Sequence, residues 1–154
     1  MPYDIERSYV QIIEGIIRVI NKIENFNEQN VMEEEWTPAN AGVDKYAVID
    51  YQQLTLGQDT FDGGYIISWF FGIRVYTRMD ESPRVLAIKQ ARNRIDFLFT
   101  FSRYPDLDGV EGILKSQILQ AVPAPRQREP GEVSFALETF GLRVDQQFDV
   151  DEEE

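Results

Sequence analysis

Carboxylates are the residues of this chain best placed to do chemistry. Two runs stand out: Glu33-Glu34-Glu35, and the stretch from Asp149 to Glu154, which holds five acids and one valine. Adjacent carboxylates can contribute to a divalent-cation site, but cation ligands must converge on one point, and no EF-hand spacing is present. Both runs therefore read as solvated acid, with electrostatic docking as a further option for the 149–154 tail. A pair of carboxylates across a cleft would serve glycoside hydrolysis. No sequence feature sets two of these acids opposite one another. Gly57, Gly63 and Gly64 lack the Gly-Lys-Ser/Thr ending of a phosphate loop and the helix behind it, so they read as turn glycines.

Composition removes most other chemistry. The 154 residues include no cysteine and no histidine. Disulfides, zinc ribbons, thiol nucleophiles and iron–sulfur ligation are excluded. So are Ser-His-Asp and Cys-His catalysis within one chain. No catalytic residue, metal or cofactor is expected. Trp69, Phe70, Phe71 and Tyr76 have the flat rings that stack on bases, yet single-strand binders add a basic groove. The net charge is −12, so Trp69 and Phe71 are expected in the core. Acidity of this size has two readings: it keeps the protein soluble, or it lines a passage through which DNA slides without sticking.

The elements around these residues suggest one α+β domain over residues 1–148 and an acidic tail over 149–154, disordered if alone. Residues 1–15 lack the basic and apolar regions of a signal peptide, and no stretch reaches transmembrane length, so synthesis in the cytoplasm is expected. Ile5, Tyr9, Ile12, Ile13, Ile16, Ile17, Ile20 and Ile23 recur at steps of three and four, which predicts a helix over 4–25 capped by Asp4. Residues 26–44 read as a long connector with a job of its own. Strands are predicted over 45–56 and 65–78, joined by a turn at 57–64. In the second strand Tyr65, Ile67, Trp69, Phe71, Ile73 and Val75 share one face. The other face, with Ile66, Phe70 and Tyr76, is apolar enough to need a cover too, either from this chain or from a neighbouring subunit.

A second helix starts at Ser82-Pro83 and stops before Tyr104-Pro105. Its buried stripe is expected to be Val85, Ile88, Ala91, Ile95, Leu98 and Phe99; Arg84, Lys89, Arg92 and Arg94 make it locally basic. The stretch 107–122 suits a helix or a strand, with a strand preferred towards its end. The last strand spans 132–148. Val133, Phe135 and Leu137 differ in parity from Phe140, Leu142 and Val144, which predicts a β-bulge or bend beside Gly141. The expected order is α-β-β-α-β-β: an antiparallel or mixed sheet of about four strands with both helices on one face.

In this element order the chain resembles phage tail-terminator proteins, the lambda-type minor tail protein U group. The matching parts are the helix over 4–25, the strands over 45–78, the helix over 82–101 and the strand over 132–148. The acidic tail and the triple glutamate have no counterpart in that pattern. The resemblance implies a structural virion protein and not an enzyme. It implies a ring of copies, usually six, that caps the tail tube, joins the neck or head–tail connector and lets DNA pass without sequence-specific binding. Its places would be the host cytoplasm during assembly and then the virion tail. In that picture Trp36, Phe61 and Tyr65 are interface aromatics, with Phe70 and Tyr76 on the second sheet face and Glu33, Glu34 and Glu35 in a docking loop. A different class also fits the charge: a small acidic module that masks a basic protein partner.

Overall fold

The computed structural model describes residues 4–28, 30–33, 45–59, 64–78, 82–123 and 135–149. Helix α1 (Ile5–Ile20) starts where expected, because the Asp4 carboxylate accepts the Arg7 N–H at 3.0 Å. Its isoleucine stripe lands in the core, with Ile12, Ile13, Ile16, Val19 and Ile20 all buried. The helix ends five residues before the predicted boundary. Lys22 and Ile23 donate to carbonyls three residues back, Val19 and Ile20, and Asn25 takes a positive φ of 72°. These tight turns still deliver Ile23 and Phe26 to the core, so the apolar period outlasts the helix that was read from it.

The expected connector over 26–44 contains a strand, β1 (Val31–Glu33), paired in parallel with β2 (Lys45–Asp59). Three residues are too short to show a period. The pairing is anchored just outside it by Asn30. That buried side chain donates to the carbonyls of Asn25 and Lys45 and accepts the Asn27 N–H at 2.7 Å. Strand β3 (Gly64–Arg78) runs antiparallel to β2. After helix α2 (Pro83–Arg103) come β4 (Ile113–Pro123) and β5 (Phe135–Asp149). The sheet order is β1-β2-β3-β5-β4. Among the described residues the protein is thus α+β with a mixed five-stranded sheet and two helices, and the order is α-β-β-β-α-β-β, one strand more than expected.

The odd-numbered residues of β3 behave as read. Ile67, Trp69, Phe71, Ile73 and Val75 are buried, and only Tyr65 at the strand's start stays partly exposed. They share one core with α1 and with Phe97 and Phe101 of α2, so both helices lie on this face. The extra residue expected in β5 beside Gly141 is absent, since β5 pairs with β3 residue for residue from Gly64↔Asp149 to Arg78↔Phe135; the irregularity beside Gly141 belongs to β4, at Leu119. The change of parity has another cause. Phe140, Leu142 and Val144 serve the helix-covered face, while Phe135 turns to the other face and meets the Tyr46 ring edge-on at 5.1 Å. Val133 lies outside the described residues. Register shifts fall instead on β2, at Gln52 and between Leu56 and Asp59, and on β4, at Leu114 and Leu119.

Helix α2 begins on the Ser82 cap and ends at Tyr104, as predicted. Its buried face is not the predicted one. Leu86, Asn93, Phe97 and Phe101 point inward, while Ile88, Ile95, Leu98 and Phe99 are about half exposed or more. The helix carries two apolar stripes, and polar contacts choose between them. Asn93 donates to Thr77 Oγ1 at 3.1 Å and accepts from Lys45 Nζ, and Arg94 donates to Glu138 at 2.6 Å. Residues 107–112 form a turn, with positive φ at Leu107, Asp108, Gly109 and Gly112; the strand half of the expected alternatives holds from Ile113 onward.

Gly15 explains how this turn reaches α1. A Cβ there would lie 2.6 Å from Val110 Cγ2, 2.9 Å from Leu107 Cβ and 3.0 Å from the Leu107 carbonyl. Alanine normally gains about 1 kcal/mol over glycine within a helix. Here Gly15→Ala is expected to lose about 1–2 kcal/mol net, because Leu107 is fully buried and cannot retreat without moving backbone. A lower thermal midpoint would show it; a raised midpoint would mean the turn is free to give way.

Candidate functional site

The second sheet face carries no helix among the described residues. Along it run Tyr46, Val48 and Asp50 from β2, alternate residues of β3 from Ile66 to Arg78, and Phe135, Leu137, Thr139, Gly141, Arg143 and Asp145 from β5. Register places these side chains together, since directly opposed residues project to the same side. Tyr46 and Val48 are nearly fully buried on this face.

Two tight clusters occupy it. In the first, the Arg74 guanidinium donates twice to the Asp50 carboxylate, at 2.5 and 3.2 Å, and once to the Tyr76 hydroxyl at 2.8 Å. Tyr76 in turn stacks on Tyr46 at 4.4 Å, with the ring planes nearly parallel. In the second, Arg143 lies over the Phe70 ring and donates to Asp145 at 2.9 Å, while Ser68 donates to the same carboxylate oxygen at 2.7 Å. Both arginines are committed to carboxylates on their own sheet. Bidentate and charge-assisted geometry of this kind fixes side chains and leaves little cationic surface for a phosphate.

Burial, followed by the neighbouring Tyr76, holds the Tyr46 hydroxyl well above its ordinary value of 10.0. The fold therefore favours the protonated phenol. That contribution is intact below the ordinary tyrosine range and is lost as pH rises past it, because the unfolded chain ionises first. In an alkaline absorbance titration one tyrosine is expected to ionise only as the protein unfolds. Tyr46→Phe should remove that late step; a native titration with all tyrosines ionising together would contradict the burial argument.

The residues expected at an interface are not brought together. Phe70 and Tyr76 share the face without a helix, about 20 Å apart along β3 at 3.4 Å per residue. Tyr65 has the opposite parity. Glu33 sits at the far edge, in β1, where its carboxylate accepts the Tyr9 hydroxyl at 2.6 Å. Glu34, Glu35, Trp36, Phe61 and residues 150–154 of the acidic tail lie outside the described residues. Among the described residues no group of three acids is placed to hold a metal ion. Among the described residues no helix is long and apolar enough to cross a membrane.

Sequence reasoning missed the surface that the fold leaves uncovered. Of the twelve large apolar residues exposed among the described ones, seven lie on α2 and β4: Ile88, Ile95, Leu98, Phe99, Leu114, Leu119 and Val122. Four more, Ile5, Val10, Tyr51 and Leu56, lie on α1 and β2. Helix α2 packs against β4 and β3, α1 against β1, and the two helices touch each other. The two groups are thus carried by different elements of the fold. The signal was in the sequence, since Ile88, Ile95, Leu98 and Phe99 stood out by their spacing, but they were read as core.

No family model and no curated protein sequence matches the chain.

Proposed function

We propose that this chain is a structural virion protein, a tail terminator. Its copies close into a ring, with six as the expected number, that caps the tail tube and joins it to the neck or head–tail connector. The observation that carries the reading is the pair of exposed apolar groups, one on α2 and β4 and the other on α1 and β2. Apolar patches on a folded domain mark sites of association. Two unlike patches favour a head-to-tail contact, and such a contact closes into a ring when the rotation between copies allows it. The rest is consistent with a structural role. The chain has neither of the side-chain types, cysteine and histidine, on which most single-chain nucleophilic catalysis depends. DNA passes without sequence-specific binding: the net charge is −12, and Arg74 and Arg143 are held by Asp50 and Asp145.

Electron microscopy and mass photometry on the purified protein, alone and with tail-tube protein, test the reading. Rings with an axial channel, and tubes of limited length in their presence, are the expected result. A strict monomer that leaves tube length unchanged overturns it. A monomer that captures a soluble basic protein in low salt and releases it in high salt would establish instead the acidic masking module.

A further inference from the structure

We infer that the outer face of α2 is one half of a contact between copies of this chain, and that the other half is the acidic flank formed by α1 and the segment leading into β1 of the next copy. The inference rests on the ring reading only in taking a second copy as the occupant.

Ile88, Ile95 and Phe99 follow one another at steps of seven and four, with Leu98 beside them, and so form a stripe along two turns and more of α2. Phe99 is 60% exposed and Ile88, Ile95 and Leu98 are about half exposed, and apolar surface grouped in this way marks a site of association. The helix is also electrically distinct. Residues 83–103 hold five basic side chains, Arg84, Lys89, Arg92, Arg94 and Arg103, against one acid, Asp96, for a net +4 in a chain of −12. Arg94 is used by Glu138 within the chain. Arg84 and Arg92 are exposed and make no ion pair among the described residues.

That charge decides which surface fits. Packing α2 on α2 about a two-fold axis would bring the exposed Arg84 and Arg92 against the same residues of the other copy, so a symmetric dimer through this stripe is disfavoured. The partner surface must be apolar and acidic. The α1 side of the same molecule answers both requirements. Ile5 and Val10 are exposed there, 55% and 47%. Between residues 4 and 33 stand six acids, Asp4, Glu6, Glu14, Glu24, Glu28 and Glu33, and three bases. Two of those bases, Arg18 and Lys22, are taken up by Asp108. Glu6, Val10 and Glu14 follow each other at intervals of four, so one ridge of α1 carries acid, apolar and acid groups in a row. The two flanks are different surfaces of one molecule, so a head-to-tail contact uses each of them once per copy.

Charge reversal in two separate full-length variants tests the pairing. One carries Arg84→Glu with Arg92→Glu; the other carries Glu6→Lys with Glu14→Lys. All four positions are exposed, and circular dichroism with thermal melting checks that each variant is folded. Each alone should lose the ring-mass species in mass photometry, since like charges then face each other at every contact. Mixed in equal amounts they should recover it, because every contact in an alternating ring of even number joins opposite charges. A folded variant that assembles alone as the wild type does, or a mixture that fails to recover, overturns the assignment while leaving ring formation standing. A wild-type protein that never self-associates overturns both.

Discussion

Phe97→Ala is expected to lower the free energy of unfolding by about 3–5 kcal/mol, whereas Phe99→Ala, two residues further along the same helix, should change it by less than about 0.5 kcal/mol in the dilute subunit. The first ring is fully buried. It stacks on Phe140 at 4.6 Å, meets Phe26 edge-on at 5.8 Å and lies beside Phe101. Truncating it removes apolar burial and leaves a cavity between helix and sheet. Phe99 faces away from the sheet. Urea titrations at a concentration below self-association, with unchanged slopes, measure both. Equal losses would mean that α2 can rotate on the sheet and that its two stripes are interchangeable.

Arg94→Ala is expected to cost about 2–3 kcal/mol at pH 7, towards the lower end for a broken buried ion pair because Arg94 itself is half exposed. The cost arises on the other side. The Glu138 side chain is 1% exposed, and its Oε1 has no hydrogen-bond partner among the described residues. Burial raises the Glu138 carboxyl above its usual range, and the bond from Arg94 opposes that shift without cancelling it. A raised carboxyl means that the folded chain holds the proton more tightly than the unfolded one. Its stabilising share is therefore full below the usual carboxylate range and is lost as pH rises through the raised value. Removing Arg94 widens that window, so the penalty should shrink as pH falls towards 4. Glu138→Gln in the Arg94→Ala background should recover most of the loss at pH 7. A penalty that is flat with pH and not rescued by glutamine would contradict an ionised buried Glu138.

Where one periodic signal stood alone, the sequence was a good guide. The odd residues of β3, the caps at Asp4 and Ser82 and the stop before Pro105 all follow from local rules that tertiary packing had no reason to override. It misled wherever two solutions shared one stretch. Helix α2 offers the stripe Leu86, Phe97, Phe101 with Asn93 among them, and the stripe Ile88, Ile95, Leu98, Phe99 with nothing polar in it. Apolar continuity favoured the second. The fold uses the first, because Asn93 and Arg94 find Thr77, Lys45 and Glu138, three partners from other strands that no local pattern announces. The extra residue expected in β5 beside Gly141 failed likewise: it assumed that every apolar residue of β5 serves one core. Strand β1 was invisible because its pairing depends on Asn30, a residue type that usually signals a turn. The candidate surface inherited these errors: Ile5, Ile88, Ile95, Leu98 and Phe99 were named, but as interior.

The last strand in sequence is an inner strand in space. Strand β5 lies between β3 and β4 and is laddered to both, so β4 has no neighbour in the sheet until β5 arrives. On the ribosome, the hairpin of β2 and β3 can assemble early, but the platform beneath α2 stays open until almost the whole of this stretch has been synthesised. Contacts of such long range in sequence make for slow closure. During that interval Ile113, Ile118, Phe97 and Phe101 are all uncovered at once, and this is when a nascent chain is most open to aggregation or to capture by a chaperone. Ribosome-bound chains halted before residue 135 should accordingly be far more sensitive to protease than chains released after 149.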